Sequence, residues 1–398
     1  MFRFLFWKNE LTPAKMNKKL RIGLITHNFP NSDKQRTNAG IFSFDLAKAL
    51  SKKAEVVVFS PGTSKGKRRI GGIMAYFFEF SEKLGSLKIY NPLHFIKFIS
   101  FFISGEKALN RFIRENPDID FVISMWAFPA GDFAHYLYKR YKIPYAVYCL
   151  GSDIYVYSRK PVLKTMIKNY LRSARFVLAD GIDLADKTEQ LSDRRVQFLP
   201  STTNFPVGDP IKKKTDKIVF TFLGRLEKVK GVDTLIEALN SIKDNKLHFQ
   251  VNIIGDGSLR NWIKQNTKNK WIKMWGNLDD VAKISLIFRN SDWLVIPSRS
   301  DSIPLVFSEG VKTSLPVIVS DLPDLKYLVK KYNIGYLFKS GDSSDLTKVL
   351  KKALTSKKDH SNFRTNLKEA AKIFDIDKSA DILIDLINRN LSKDRKNL

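Results

Sequence analysis

FLGRLEKVKG at residues 222–231 and PSRSDSIPLVFSE at residues 297–309 decide the reading of this chain, with IIGDG at residues 253–257 between them. Each follows a short run of β-branched and aromatic residues: IVFTFL, FQVNII and WLVI. Runs of this length bounded by Gly, Pro and Ser read as buried strands, and the segments after them, such as VDTLIEALNSI and SLRNWIKQN, carry apolar residues at helical spacing. Strand, glycine-containing loop and helix in repeated succession predict a mostly parallel sheet covered on both faces.

The same scheme runs outward in both directions. Toward the C-terminus come WIKMWG (271–276) and LPVIVS (315–320). Toward the N-terminus lie RIGLIT (21–26), the amphipathic IFSFDLAKALSKKA (41–54), EVVVFSP (55–61), a helical region over 91–116, DFVISMW (120–126), YAVYCLG (145–151), RFVLA (175–179) and a last strand at 196–199. Between the halves, residues 206–217 hold Pro206, Gly208 and Pro210 and then Lys212, Lys213, Lys214 and Lys217, a composition that resists regular packing and marks a linker. The organisation is therefore an aromatic and basic extension (1–19), an α/β domain (20–205), the linker (206–217), a second α/β domain (218–372) and C-terminal helices with a frayed tail (373–398). Two such domains leave a cleft at the carboxyl ends of their strands, where open α/β sheets bind ligands.

With 398 residues, 43% hydrophobic and 12% aromatic, the chain has enough apolar material for two cores and does not resemble a disordered protein. A single cysteine rules out an internal disulfide framework, and Cys149 within YAVYC reads as a buried thiol. The 68 Lys and Arg against 40 Asp and Glu give a formal charge of +28, compatible with phosphorylated substrates, an anionic membrane surface or nucleic acid. No zinc-finger spacing or RNA-binding aromatic signature accompanies that charge, so no specific nucleic-acid partner is expected. The apolar part of MFRFLFWKNE is too short to span a bilayer, and it suits an interfacial, core-docking or disordered extension equally. His94, His135, His248 and His360 lack metal-ligand spacing, and no metal centre is expected.

The candidate site residues follow from where the loops fall. Arg225 and Lys230, beside Gly224 and Gly231, stand between a strand end and a helix start, where cations and backbone amides hold phosphates. Gly255 ends the next strand. Asp301 and Glu309 flank a helix expected to begin near Pro304 or Leu305, which places Glu309 in its early turns with a carboxylate suited to accepting hydroxyl hydrogen bonds. In the first half, His27, Asn38 and Gly40 lie in the loop before the first helix, and Gly151 and Asp153 follow YAVYCL. Asp153 suits a helix cap or a ligand equally.

On these residues the chain resembles the retaining glycosyltransferase family 4, the glycosyl transferases group 1, over about residues 21–390. GRLEKVKG is similar to the family's donor-diphosphate element, and Asp301 with Glu309, eight positions apart, resembles its glutamate-seven-residues-glutamate signature with aspartate first. IIGDGSLR, the GN after WIKMW and IGYLFKSGD add to the likeness. The resemblance implies the GT-B fold: two facing Rossmann-like domains with an interdomain active-site cleft and a C-terminal crossover. It also implies Arg225 and Lys230 on the diphosphate, Asp301 near the sugar and Glu309 on the ribose. FPNSDKQRTNAGIF is similar to the family's acceptor-side and phosphate-approach loop, with Gly40 its best match, and Asp153 matches a common acid. His27, Asn38, Gly151 and Asp153 are read as acceptor-side from the loops they occupy. Two departures stand out: Leu150 replaces a histidine common before the glycine of YCLGSD, and SDLPDLKYLV has Pro323, Asp324 and Tyr327 where paired glycines and a glutamate are common.

The implied reaction is transfer of a sugar from a nucleoside diphosphate sugar, with retention and without cofactor or metal, to a glycan or lipid-linked acceptor in cell-surface polysaccharide or glycolipid assembly. The implied place is the cytoplasm or the cytoplasmic face of the inner membrane. A GT-B nucleotide-sugar epimerase and a non-catalytic nucleotide- or glycan-binding protein are the alternatives.

Overall fold

The structure, a computed structural model, describes residues 19–32, 40–80, 82, 91–211, 217–242, 249–267 and 271–396. The aromatic N-terminal extension up to residue 18 and the candidate ligand Asn38 lie outside them.

The first sheet has eight strands: β1 (Arg21–Ile25), β2 (Glu55–Gly62), β3 (Gly66–Ile70), β4 (Ile73–Glu79), β5 (Phe121–Met125), β6 (Tyr145–Cys149), β7 (Val177–Ala179) and β8 (Val196–Phe198). Their order is β3-β4-β2-β1-β5-β6-β7-β8, parallel except for the antiparallel β3–β4 pair. The alternating sequence pattern does not reveal that hairpin. Its turn is made by Gly71 and Gly72, both at positive φ (+54° and +87°), a region open to glycine at little cost. β3, at the sheet edge, carries Lys67, Arg68 and Arg69, charges that discourage edge-to-edge pairing.

The connecting helices are α1 (Ile41–Ser51), α2 (Pro92–Glu115), α3 (Ala130–Tyr141), α4 (Ser152–Tyr155), α5 (Pro161–Ser173) and α6 (Ile182–Ser192). One core joins α2, α3, α5 and α6 to one face of the sheet; Gly105 lets α2 close on α3, since a Cβ there would stand 2.3 Å from Phe133 Cζ. The other face packs against α1 and against a helix from the far end of the chain.

The second sheet is wholly parallel, in the order β11-β10-β9-β12-β13-β14, from β9 (Ile218–Leu223), β10 (Phe249–Ile254), β11 (Ile272–Gly276), β12 (Trp293–Ile296), β13 (Val317–Ser320) and β14 (Gly335–Phe338). Around it lie α7 (Val232–Asn240), α8 (Arg260–Asn266), α9 (Val281–Arg289), α10 (Leu305–Lys312), α11 (Pro323–Tyr332), α12 (Ser343–Thr355) and α13 (Lys357–Ala371). The last helix, α14 (Ile376–Lys396), crosses back: Ile376, Ala380, Leu383 and Ile387 enter the first sheet's core, and Asp377 pairs with Lys52 at 2.6 Å. It continues to Lys396, through the region where the sequence predicts a frayed tail, because its apolar stripe is covered by α1. Strand interiors such as Ile22, Val122, Val251 and Leu294 are fully buried, as parallel strands covered on both faces require.

Candidate active site

At the carboxyl edge of the second sheet, three loops lock together through glycine. Gly224, just past β9, donates its N–H to Ile254 O at 3.0 Å. A Cβ on Gly255, itself at φ +134°, would stand 2.0 Å from Gly224 O. Gly231, at φ +68°, caps α7, and a Cβ there would stand 1.8 Å from Pro297 O. Both loops therefore approach more closely than any side chain allows.

That approach brings Lys230 to Asp301. Lys230 Nζ donates to both carboxylate oxygens of Asp301, at 2.7 and 2.8 Å, with only about a fifth of either side chain exposed (21% and 18%). The sequence placed the two residues in separate elements; the fold makes them one unit. Arg225 lies exposed on the same loop. Pro304 immediately precedes α10, which starts at Leu305, so Glu309 occupies its second turn. Thr203 Oγ1, from the segment between the sheets, donates to Glu309 Oε1 at 3.3 Å. Burial pushes the Glu309 carboxyl up to about 7 and the neighbouring Lys312 ammonium down to about 8.

The carboxyl edge of the first sheet is differently made. Gly40, at φ +114°, presses the start of α1 against the chain after β1, where a Cβ would stand 2.9 Å from Asn28 O. His27 meets Trp126 edge-to-face with ring centroids 4.4 Å apart. Part of its side chain stays open, but Nδ1 is enclosed without a hydrogen-bond partner among the described residues. Burial lowers its pKa to about 4, so the imidazole is neutral near pH 7.

Gly151, at φ +107°, opens α4. Asp153 is fully buried and accepts from Ala127 N at 2.7 Å, Leu150 N at 3.3 Å and Ile154 N at 3.1 Å. Between the two roles the sequence left open, Asp153 takes one akin to capping: its carboxylate ties the loop after β5 to the loop after β6. Burial outweighs those amides and raises its pKa to about 6. Leu150, at the departure noted above, packs into the core shared by α1 and α14.

The two edges face each other. Gly181, after β7, lies against Ser302, after β12: a Cβ on Gly181 would stand 2.1 Å from Ser302 Oγ and 2.3 Å from Asp324 Oδ2. Asp324 Oδ1 accepts from Asp183 N at 2.8 Å, capping α6 from across the interface, while Ser302 Oγ donates to Asp324 Oδ2 at 3.1 Å. Burial raises the Asp324 pKa. In sequence, Asp324 was only a departure from a glycine pair; its place just after a proline at a helix start was the available signal. Arg299 was also missed. Its guanidinium grips Asp233 with both Nη atoms (2.7 and 3.0 Å) and Thr234 Oγ1 (2.7 Å), while its own N–H donates to Val229 O. This fork fixes the Asp301 loop against α7. The signal for it was an arginine in one loop and an acid in the first turn of the helix after the other.

Residues 209–373 match the family described as glycosyl transferases group 1. An uncharacterized glycosyltransferase of Methanocaldococcus jannaschii is 28% identical over 306 residues, 73% of this chain and 81% of the relative. The UDP-Gal:alpha-D-GlcNAc-diphosphoundecaprenol alpha-1,3-galactosyltransferase of Escherichia coli is 30% identical over 223 residues, 53% of this chain and 54% of that enzyme. Among solved structures, the sucrose-phosphate synthase of Thermosynechococcus elongatus superposes with a TM-score of 0.74 at 15% identity, covering 94% of this chain and 100% of the other.

Proposed function

We propose, for a chain that belongs to the glycosyl transferases group 1 family and has the GT-B fold, that it moves a sugar from a nucleoside diphosphate sugar to a hydroxyl of a glycan or lipid-linked saccharide, with retention and without a metal. The observation that carries this reading is the Lys230–Asp301 unit at the carboxyl edge of the matched domain. An ammonium has three donors. Asp301 orients it and leaves donor capacity for a diphosphate oxygen, where charge grows as the sugar departs.

Arg225 adds a second, solvent-facing cation to the same loop. Glu309 accepts ribose hydroxyls in place of the long Thr203 contact. Asp301, engaged with Lys230, suits contact with sugar hydroxyls rather than covalent attack. In the reaction proposed, the acceptor oxygen bonds to the anomeric carbon on the face from which the diphosphate leaves, the carbon–oxygen bond to phosphate breaks, and the acceptor proton passes to the departing phosphate oxygen. His27 and the Gly40 and Gly151 loops border the acceptor side, with a neutral imidazole available for hydrogen bonding. A lipid-linked acceptor agrees with the diphosphoundecaprenol-linked substrate in the name of the E. coli relative, and work at the cytoplasmic face of an anionic membrane agrees with the +28 charge. Among the described residues no helix is long and apolar enough to cross a membrane.

The test is a mass-spectrometric screen of nucleotide sugars with a lipid and glycan acceptor fraction. A sugar-added product with released nucleoside diphosphate supports the proposal. Isomerised donor without such a product replaces it with epimerisation, and intact donors despite saturable nucleotide binding replace it with a non-catalytic role.

A further inference from the structure

Helix α2 carries a run of apolar side chains that the described residues leave exposed. Phe101, Gly105, Leu109 and Phe112 are buried against the first sheet's core. On the outward side Ile96, Ile99 and Ile103, spaced three and four residues apart, form a stripe continued by Leu93 and Phe95. These five are between 40% (Ile99) and 69% (Leu93) exposed. A solvated surface helix carries polar residues there.

The stripe sits at one particular end of the molecule. Helices α2, α3 and α5 follow β4, β5 and β6, so their N-termini lie at the carboxyl edge of the sheet, where His27 and Asp153 also lie. Phe98 stacks on Phe128 and Phe102 tilts against it just before α3, and Phe128 meets Tyr157 just before α5. Through this buried ring the N-terminal half of α2 and residues 156–168 adjoin as one rim of the helix layer. Beyond Tyr157 the rim turns basic while staying partly apolar. Val156 and Val162 are 53% and 73% exposed, and Arg159, Lys160 and Lys164 are exposed beside them. Neither residues 92–105 nor residues 156–168 contain a single Asp or Glu. Lys97 pairs with Glu82 and Lys168 with Asp193, whereas Arg159, Lys160 and Lys164 enter no ion pair among the described residues. Exposed apolar side chains beside such cations match the acyl boundary and anionic headgroups of a bilayer.

We propose that this rim, formed by the N-terminal half of α2 and residues 156–168, docks the protein on an anionic lipid bilayer with the cleft mouth at the membrane surface. The proposal deepens the reading of the acceptor as lipid-linked and rests on it only for its purpose, since docking itself needs no turnover.

The test is co-sedimentation of the full chain with phosphatidylcholine vesicles and with vesicles of equal phosphatidylcholine and phosphatidylglycerol. Wild-type protein sediments with the anionic vesicles, less so as salt rises. The double substitution Ile96→Glu, Ile99→Glu weakens that binding about tenfold or more, with melting temperature and nucleotide binding unchanged. Lys160→Glu with Lys164→Glu reduces binding to the anionic vesicles alone. Wild-type protein that ignores both vesicles overturns the proposal, as does an Ile96/Ile99 variant that binds like wild type. So does loss of binding confined to a Phe2→Ser, Phe4→Ser, Phe6→Ser, Trp7→Ser variant, which would assign docking to the N-terminal segment. Light scattering that shows a wild-type dimer and a monomeric Ile96/Ile99 variant would make the stripe a self-interface and equally overturn it. Failure of the transferase reading appears in the donor screen and leaves sedimentation untouched.

Discussion

At the carboxyl edge of the second sheet, charge is presented: Lys230 and Asp301 form a partly exposed ion pair, and Arg225 faces solvent beside them. At the same edge of the first sheet, polar groups are withdrawn: Asp153 is buried under three backbone amides, and His27 is held neutral against Trp126. The two walls share a strand–loop–helix geometry and differ in what their side chains are committed to. Charge near the surface can meet a ligand, whereas a buried carboxylate satisfied by its own backbone shapes the wall it belongs to.

The comparison is broken or sharpened most strongly at Lys230. Lys230→Ala is expected to lower turnover by roughly 10²–10³-fold, the scale for loss of one charge-stabilising donor, with little change in melting temperature. Release of nucleoside diphosphate measures it. An equal loss in Asp153→Asn at unchanged stability would erase the distinction between the walls.

The seam between them comes next. Gly181→Ala drives a methyl into Ser302 and Asp324, and displacing one wall by about 1 Å is expected to reduce turnover by about 10²-fold. Small-angle scattering should show a more open molecule. An unchanged profile with full activity would mean that this contact does not set the approach of the two sheets.

Glu309→Gln is expected to weaken nucleotide binding by about tenfold, the scale of a hydrogen bond to a charged group. It also separates two pH effects. The folded carboxyl, near 7, lies above its ordinary 4.5, so its contribution to stability is fully present below about 4.5 and lost as pH rises through 7. Denaturant titrations between pH 4 and 8 should show that decline in wild type and a flatter profile in the glutamine variant. Nucleotide affinity in wild type should move the opposite way, gaining as the carboxylate ionises, and should lose that gain in the variant. Parallel wild-type and variant profiles would remove Glu309 from both effects.

The smallest effect on chemistry is expected at Asp153. Asp153→Ala leaves the Ala127 and Leu150 amides without their acceptor, an expected loss of about 1–3 kcal/mol per unsatisfied buried group, read as a lower melting temperature. Nucleotide binding to the second sheet should be retained.

What was legible in the sequence tracks this division. GRLEKVKG and PSRSDSIPLVFSE announce themselves because glycines at fixed positions and cations at strand ends answer to local backbone geometry: Gly231 and Gly255 sit at positive φ and touch neighbouring backbone. The β3–β4 hairpin interrupts the helix–strand rhythm, and its one local signal was Gly71-Gly72 between GKRRI and IMAYFFE, a two-residue turn pair that the rhythm obscures. The Arg299 fork and the Asp324 cap were not legible, because each joins residues far apart in sequence, 66 positions for Arg299 to Asp233 and 141 for Asp183 to Asp324.

The sequence by itself determined the α/β alternation, the two sheets, and the loops that carry phosphate-competent charge, because each depends on residues within one strand–loop–helix unit. Only the tertiary structure decided that Lys230 and Asp301 are a pair, that Asp153 positions loops, that Asp324 caps a helix of the opposite sheet, and that α2 turns an apolar stripe outward. Those outcomes depend on burial and on contacts between distant segments. The same aspartate is a ligand, a cap or a buried anchor according to what packs around it.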